Sequence, residues 1–385
     1  MGRLLLRCAR WLEADGRWSS RDLAITDGVV AKAPAADAVT VELEGRAVLP
    51  ALVNAHDVLD LASLPPLGVR PPYPSLYEWT RACEAETAGH AAALAIPFAD
   101  RLFLGGLRNL LAGTAAVLHH HPDHRSLARA DFPVRVQRRY AFAHSPRLTA
   151  ALRRTYRTTD RRQPWIVHAA EGGLPALRGE IEALAAANVL RQNTVIAHGT
   201  ALEPEDAARL ASARASLAWC PESDLRLYGR TAPAVALLRG GVRVGLGSDG
   251  APAGARDLLS TLAVARGLAG LSDEALLQLA TRGSAEVARM PAGDAQPGTP
   301  ADLLVTGSLP ALLAGQRAAV ALLIVRGEPV CGEPGLLAQS GRPAVGFVLD
   351  EAARALACPL ARRLRALVRR HPVLRRTAWL STLEI

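Results

Sequence analysis

The sequence predicts an α/β protein, a TIM-like (β/α) barrel with a small composite β-sandwich formed by both chain ends. Apolar β-type runs alternate with helical stretches rich in Ala, Leu and Arg over residues 50–299, which is typical of repeated βαβ units. Several of these runs end on histidine or acidic residues, and the ends of parallel barrel strands converge on one face. Short strands separated by Gly and Asp occur in residues 1–49 and again in 300–345, and this shared style predicts the sandwich.

Barrel strands are predicted at seven places. They are ALVNAH, GTAAVLHH, PVRVQRRYAFAH, WIVHAAE, NTVIAHG, ASLAWCP and VRVGLGSD. A TIM barrel has eight strands, so either the eighth is hidden in the long PVRVQRRYAFAHS run or the barrel is short of one strand. We further expect a C-terminal helical extension over 346–385, in which 351–372 form an arginine-rich amphipathic helix packed on the barrel exterior.

Composition argues against a nucleic-acid or membrane partner. The 385-residue chain carries a net charge of +9, but its only lysine is Lys32 and its arginines are spread along the chain rather than clustered with aromatics. Its apolar stretches fall short of the roughly 18 to 20 residues that a membrane span needs. The N-terminal MGRLLLRCARWLEADGRW has the pattern of a strand rather than a signal peptide. The five cysteines have no metal-site or redox spacing, which predicts reduced thiols and a cytoplasmic protein.

Potential metal ligands stand at the ends of four apolar runs. WIVHAAEG carries His168 and Glu171, TVIAHG ends on His198, VRVGLGSDG carries Asp249, and the upstream LPALVNAHDVLD carries His56. Imidazole and carboxylate groups are the side chains that a catalytic zinc takes as ligands. Four such groups at four strand ends, far apart in sequence, predict one metal site on the face where the strands end.

The same residues resemble a known family, the amidohydrolase superfamily, and within it the cytosine, guanine and chlorotriazine deaminase-like hydrolases. The resemblance covers roughly residues 1–345, with weaker matches at AGTAAVLHHH, WCPESDLRL and ADLLVTG. The positions that match the family's motifs are Pro50, Asn54 and His56, then His168 and Glu171, then His198 and Gly199, then Ser248 and Asp249.

The resemblance implies a metal-dependent hydrolase that attacks a C–N bond, other than a peptide bond, in a cyclic or amide small molecule. Zinc or iron would be held by His56, His168, His198 and Asp249. Asp249 would be the general base, Glu171 would relay protons, and His198 would stabilise developing charge. The substrate stays undetermined, and the oligomeric state stays open, a homodimer included.

One departure from the family pattern bears directly on catalysis. The second histidine of the first-strand His-x-His pair is replaced by Val58, which cannot bind a metal, and the glycine after Pro50 is replaced by Ala51. Asp57 points to the opposite strand face, whereas Asp60 could fold back from the loop. A second hypothesis is therefore an amidohydrolase-like protein that has lost catalysis and binds a ligand or partner.

A histidine-rich segment, HHHPDH, offers a replacement ligand. His119 and His121 share one strand face and are the first candidates, while His120 points the other way. The segment could also be an ordinary polar loop with one or two hydrogen-bonded histidines.

Some of these residues allow a second interpretation. His198 could be a helix-capping or loop histidine, and Asp249 could be the N-cap of a helix that begins near Arg256. Three glycines in GLGSDG fit a dinucleotide-binding G-x-G-x-x-G, although that motif leaves the histidines unexplained. Three aromatic residues in the loop over 65–79 could stack on a flat substrate ring or fill space between loop and barrel: Tyr73, Tyr77 and Trp79.

Overall fold

The computed structural model describes residues 2–13, 15–68, 70–377, 379–380 and 383–384. The N-terminal segment forms five strands, namely β1 (Leu4–Leu12), β2 (Trp18–Thr26), β3 (Val29–Ala31), β4 (Val39–Glu42) and β5 (Ala47–Pro50). In β1 the buried side chains are Leu4 and Leu6 and then Ala9 and Trp11. A β-bulge between Leu6 and Ala9 shifts the alternation of inward-facing side chains by one residue. The buried side chains before and after the bulge therefore both face the core.

Eight parallel strands follow in the described part of the chain. They are β6 (Leu52–Asp57), β7 (Thr114–His119), β8 (Arg135–Val136), β9 (Ala141–Ala143), β10 (Trp165–Ala169), β11 (Thr194–His198), β12 (Ser216–Trp219) and β13 (Arg243–Leu246). Hydrogen bonds join them into two segments, β6-β7-β8 and β9-β10-β11-β12-β13. The last strand packs against the first, because β13 contacts β6. The architecture is a TIM-like (β/α) barrel.

Of the two alternatives for the eighth strand, the one that hides it in the PVRVQRRYAFAHS run is confirmed. The PVRVQRRYAFAH run holds two strands, β8 and β9, separated by residues 137–140 without a helix between them. Because each strand is only two or three residues long, the sequence pattern of the pair resembles that of one longer strand.

Helices surround the strands. They are α1 (Leu76–Thr87), α2 (Ala91–Leu94), α3 (Phe98–Leu111), α4 (Leu152–Arg157), α5 (Gly179–Ala186), α6 (Ala207–Ala213), α7 (Pro221–Tyr228), α8 (Ala234–Arg239), α9 (Leu258–Ala269), α10 (Asp273–Gln278), α11 (Ser284–Ala288), α12 (Leu309–Leu313), α13 (Pro334–Gln339) and α14 (Cys358–Arg370). The described residues contain no helix that is long and apolar enough to cross a lipid bilayer.

Alternate side chains of the barrel strands belong to two different apolar clusters. One buried cluster collects Val53, Ala55, Ala116, Leu118, Ile166, Val195, Ala197 and Ala218, and so fills the barrel interior. Their strand neighbours, such as Val117, Val167 and Ile196, belong to the larger cluster that packs against the helices. The strand register therefore shows which side chains point inward as each strand reaches the top of the barrel.

Strands from both chain ends share one sheet. The C-terminal members are β14 (Leu303–Thr306), β15 (Val320–Val325), β16 (Glu328–Gly332), β17 (Ala344–Leu349), β18 (Ala352–Ala357) and β19 (Leu383–Glu384). Within this sheet β14 pairs antiparallel with β5, which joins the two ends of the chain. The division into a composite domain of 1–49 plus 300–345, a barrel of 50–299 and an extension of 346–385 stays a prediction.

The helix expected over 351–372 begins later, at Cys358. Residues 352–357 are drawn into the sheet because they pair with β17, and Pro359 then occupies the first turn of α14. The helix lies against α3, where Arg363 contacts the Asp100 carboxylate at 2.9 Å and its guanidinium stacks 4.1 Å from the Phe103 ring.

Candidate metal centre

His168 and Glu171 stand together at the end of β10. His168 follows the inward-facing Ile166 by two residues, so strand alternation turns its ring toward the barrel axis. Ala170 has a left-handed backbone (φ 52°), and this turn returns the chain so that Glu171 Oε2 lies 2.5 Å from His168 Nδ1. The Tyr228 hydroxyl from α7 donates to the other oxygen of Glu171. The carboxylate is thus fixed from two sides.

His198 ends β11 in a left-handed conformation (φ 67°) that is costly for a residue other than glycine. Its Nδ1 lies 2.7 Å from Asp224 Oδ1, and Thr231 Oγ1 donates to the other oxygen of Asp224. With Nδ1 bonded to a carboxylate, Nε2 faces the centre of the cluster, where it is buried and has no hydrogen-bond partner among the described residues. A role as helix cap is wrong, because the next helical turn, Pro204–Asp206, is capped by Glu203.

Asp249 and His56 meet where the last barrel strand packs against the first. The Asp249 backbone, also left-handed (φ 59°), donates its N–H to the His56 carbonyl at 3.0 Å. The Asp249 carboxylate lies 3.7 Å from His56 Nε2 and 3.6 Å from His198 Nε2. The helix-cap interpretation of Asp249 is wrong, because α9 is capped by Asp257, whose side chain accepts from Ser260 N–H.

The glycines of GLGSDG serve strand packing rather than phosphate binding. A Cβ on Gly245 would lie 2.8 Å from the Ser284 Cα and 3.1 Å from the Ala55 Cβ. A Cβ on Gly247 would lie 2.8 Å from the Cβ of His56. The missing side chains let β13 approach β6 closely, which brings Asp249 to His56.

The four predicted ligand residues therefore converge. Ring centroids of His56 lie 5.1 Å from His168 and 5.3 Å from His198, and the His168 and His198 rings stack at 5.0 Å. The ligand-type atoms of His56, His198 and Asp249 lie within 4.8 Å of one another, as do those of His168, Glu171 and His198. The two groups share His198.

The electrostatics of the cluster favour a cation. Burial, with the neighbouring His198 and His56 rings, holds the pKa of His168 well below its usual range, so this ring is neutral. Burial alone would also lower the pKa of His198, but the carboxylates of Glu171, Asp249 and Asp224 outweigh it and raise that pKa to about 10. The carboxylates of Glu171, Asp249 and Asp224 thus stabilise positive charge at this point.

The pKa values of Glu171 and Asp249 are shifted in opposite directions. Burial raises the pKa of Glu171 above its usual value. Burial acts the same way on Asp249, but the His198 charge and then contact with His56 lower the pKa of Asp249 below its usual range. Two carboxyl groups in one pocket, one easily protonated and one held ionised, are what acid–base chemistry at a single site uses.

Val58 lines a cavity beside this cluster, and neither predicted substitute fills the position of the missing histidine. His119 Nδ1 accepts from Leu59 N–H, and His121 Nδ1 lies 2.9 Å from Asp60 Oδ1. The expectation that His119 or His121 replaces the ligand is wrong, as is a return of Asp60 to the centre, because these three residues contact one another. The histidine that enters the cluster is His120, whose ring lies 5.0 Å from His56 and stacks on His168 at 4.5 Å.

Asp57 points away from the metal-ligand cluster and forms a buried contact that links structural elements. Arg108 of α3 contacts Asp57 Oδ1 at 3.2 Å and donates to the carbonyl of Asp249, also at 3.2 Å. The same guanidinium donates to the carbonyls of Ala255 and Arg256. Both charges are fully buried, so this pair ties the strand that carries His56 to the loop that carries Asp249.

A cavity of about 520 Å³ opens onto His168 and Asp249. Its lining is largely apolar, with Trp79 and Phe142 as the large rings and Glu84, His121 and His144 among the polar groups. Its described lining includes no arginine or lysine. Of the three loop aromatics, Trp79 lines this cavity, whereas the Tyr77 hydroxyl donates to Glu180 and Tyr73 packs beside Leu227 and Tyr228.

Comparisons with known proteins find similarity in sequence and in fold. Residues 162–330 match the amidohydrolase family model. This matched segment carries His168, Glu171, His198 and Asp249. Among curated relatives, the 5-methylthioadenosine/S-adenosylhomocysteine deaminase of Haloquadratum walsbyi is 36% identical over 127 residues, which is 31% of this chain and 29% of that protein. The 8-oxoguanine deaminase of Pseudomonas aeruginosa is 34% identical over 123 residues, or 30% and 27% of the two chains.

Solved amidohydrolase structures extend the likeness of fold over most of the chain. A zinc-bound adenosine deaminase from Xanthomonas campestris superposes with a TM-score of 0.68 at 21% identity, covering 85% of this chain and 92% of that one. A triazine hydrolase variant gives a TM-score of 0.70 at 18% identity, covering 89% and 99%. The sequence matches, by contrast, span less than a third of the length of the curated relatives.

Sequence reasoning missed three residues that shape this site. Asp224 lies in the WCPESDLRL segment, four residues into α7, and Tyr228 lies one helical turn further on, so both face β11 together. The i, i+4 spacing of these two polar residues on one short helix was the available signal. The third is His120, which follows Ala116 and Leu118 on the inward face of its own strand.

Proposed function

We propose that this chain is a metal-dependent hydrolase that cleaves a C–N bond, other than a peptide bond, in a cyclic or amide small molecule, in the manner of a deaminase. One observation carries the proposal. Buried imidazole nitrogens of His56 and His198, without hydrogen-bond partners among the described residues, face the Asp249 carboxylate at 3.7 and 3.6 Å, and Glu171 lies beside them. Unpaired buried polar atoms are costly, and a metal ion would satisfy them.

The residues fit a divalent metal. His56, His168, His198 and Asp249 would hold it, and this set of imidazoles with one carboxylate suits zinc, with iron as the second candidate. Asp224 and Glu171 accept from the outer nitrogens of His198 and His168, the arrangement by which proteins orient histidine ligands. When bound, the ion would lower the pKa of a water molecule and so provide a nucleophile near neutral pH.

The chain's own side chains supply the proton transfers. Asp249, held ionised, accepts a proton from the attacking water. Glu171, whose pKa burial raises, delivers a proton to the departing nitrogen, and the proton that Asp249 took from water then passes to Glu171 and restores both groups. If Nε2 of His198 keeps its proton instead of binding the ion, it donates to the negative charge that develops as the water adds.

The cavity suggests the substrate class. Its volume of about 520 Å³ is in the range of small-molecule sites, and its apolar walls with Trp79 and Phe142 suit a flat ring. A described lining without arginine or lysine offers no cationic partner for a phosphate or carboxylate group. We therefore propose an uncharged, amino-bearing heterocycle, a class to which the adenine, guanine and triazine rings named for the relatives belong.

Metal content and ammonia release test this proposal together. Protein purified without chelator should contain about one zinc or iron ion, and it should release ammonia from at least one of adenosine, 5-methylthioadenosine, 8-oxoguanine or an amino-triazine. His168→Ala should lose both properties, while His124→Ala, at a histidine that caps the turn at Arg125–Ala128, should keep them. Wild-type protein that stays free of metal after incubation with zinc or iron would rule out the mechanism and leave the ligand-binding hypothesis.

A further inference from the structure

We infer that His120, from the end of the second barrel strand, is a metal ligand that compensates for Val58. The inference rests on the proposed metal site and adds one ligand to it. In the family pattern both histidines of the His-x-His pair come from the first strand. Here the second would come from the neighbouring strand β7, one position along the sheet.

Strand register brings His120 to the centre. Ala116 and Leu118 of β7 point into the barrel interior, so the next inward position is residue 120. His119, one residue earlier, belongs to the opposite face and contacts the loop after β6, where its Nδ1 accepts from Leu59 N–H. Because side chains alternate between the two faces of a strand, His120 points to the cluster while His119 and His121 point away from it.

The hydrogen bond of the His120 ring leaves one nitrogen available to a metal. Nε2 lies 3.3 Å from the carbonyl oxygen of Ala143, and a carbonyl only accepts, so Nε2 carries the proton. Nδ1 is then the nitrogen with the lone pair, and it is buried without a hydrogen-bond partner among the described residues. A backbone carbonyl that fixes the tautomer and orientation of a ring is a common support for a metal-binding histidine.

The His120 ring lies close to the other proposed ligands and to Val58. One ligand nitrogen from each of His56, His120 and His168 lies within 4.8 Å of the others. Val58 and His120 both line the cavity that opens onto His168 and Asp249, so the two residues border the same space. His120 therefore supplies a ring nitrogen next to Val58, which has no atom that can bind a metal.

Cobalt substitution tests this assignment with a readout that is independent of turnover. The d–d absorption of bound Co²⁺ reports the ligand set, and chelator competition gives the dissociation constant. His120→Ala should weaken Co²⁺ and Zn²⁺ binding at least tenfold and change the absorption spectrum, whereas His121→Ala should leave both within about twofold. His121 is the matched control because it lines the same cavity but is bonded to Asp60.

Two further variants separate ligation from packing. In Val58→His/His120→Ala the histidine returns to the first strand, and metal affinity should recover at least in part. His120→Gln keeps an N–H for the Ala143 carbonyl while it removes the imidazole, so it should fold and still show the altered spectrum, even if His120→Ala does not fold.

The outcomes are distinguishable. Wild-type spectrum and affinity in both position-120 variants would overturn the inference while the proposed hydrolase stands. Loss of affinity without any recovery in the double variant would assign His120 a packing role and also overturn it. A wild-type protein that binds no metal would remove both proposals at once.

Discussion

Asp224 Oδ1 lies 2.7 Å from Nδ1 of His198, and both side chains are completely buried. The carboxylate comes from α7 and the imidazole from the end of β11, so the contact joins a helix to a barrel strand at the candidate site. It fixes the orientation of His198 and leaves Nε2 directed at Asp249 and Glu171.

Asp224→Asn is expected to weaken metal binding by about 10- to 100-fold, because loss of the charged partner reduces the basicity of the His198 ring. The measurement is chelator competition with zinc. Glu222→Gln is the control, since Glu222 lies on the same helix but accepts from Ser260 and Thr261, outside the cluster. Equal affinities in wild type and Asp224→Asn would contradict the role of this contact.

Removal of the metal should lower the stability of the fold. An ion that binds only the folded chain stabilises it by about 2.7 kcal/mol when its free concentration is 100 times Kd. We expect the Tm to fall after treatment with a chelator and to return when zinc is added in excess. The same cycle on His168→Ala should give little change. A wild-type Tm that is insensitive to chelator would argue against a metal among these histidines.

The convergence of His168, His198 and Asp249 could be predicted because each follows an apolar strand, and strand ends of a parallel barrel share one face. The position of His120 could not. The sequence pattern favours the His119 and His121 pair without showing which side of β7 faces inward, and an error of one residue exchanges the two faces. That register depends on how β7 pairs with β6, where it shifts twice, and such shifts leave no mark in the sequence.

The eighth strand shows a related limit. The barrel itself followed from the alternation of strands and helices, but β8 and β9 have no helix between them to mark their boundary. Contacts made by Asp224 and Arg108 were also beyond prediction, because both link segments that are distant in sequence. Arg108, for example, joins α3 to Asp57 and to the backbone after β13.

Arg108→Met should destabilise the protein by about 3–5 kcal/mol, because it leaves the Asp57 carboxylate buried without its cation. Urea unfolding measures the change. Arg108→Met/Asp57→Asn should recover part of this loss, since the uncompensated charge is gone and Asn109 can still bond to residue 57. A double variant no more stable than Arg108→Met would mean that the lost backbone contacts of Arg108 dominate.

Trp79→Leu should raise KM about fivefold for the best ring substrate with little change in stability. The tryptophan is half-buried and lines the cavity, and an aromatic contact contributes about 1 kcal/mol. Tyr77→Phe is the control, because its hydroxyl contacts Glu180 outside the cavity lining. If both variants change KM alike, the effect arises from the loop and not from ring stacking.

Gly247→Ala should lower both the stability of the protein and its metal affinity. The added Cβ would lie 2.8 Å from His56 Cβ and 2.9 Å from Cys220 Sγ, so β13 must move away from β6 or His56 must shift. Overpacking of this kind costs about 1–3 kcal/mol. Because the added methyl group would press directly on His56, metal affinity should fall together with stability.

Gly267→Ala is the matched control for this change. Gly267 lies exposed within α9, and a Cβ there would meet nothing within 4 Å. Replacing glycine by alanine inside a helix should stabilise the protein by about 0.5–1 kcal/mol and leave metal binding unchanged. Urea unfolding and chelator competition on the two variants check both halves of the prediction. Loss of stability in Gly247→Ala with intact metal affinity would show that β13 can move without displacing His56. The close packing of β13 on β6 would then not be the cause of the contact between Asp249 and His56.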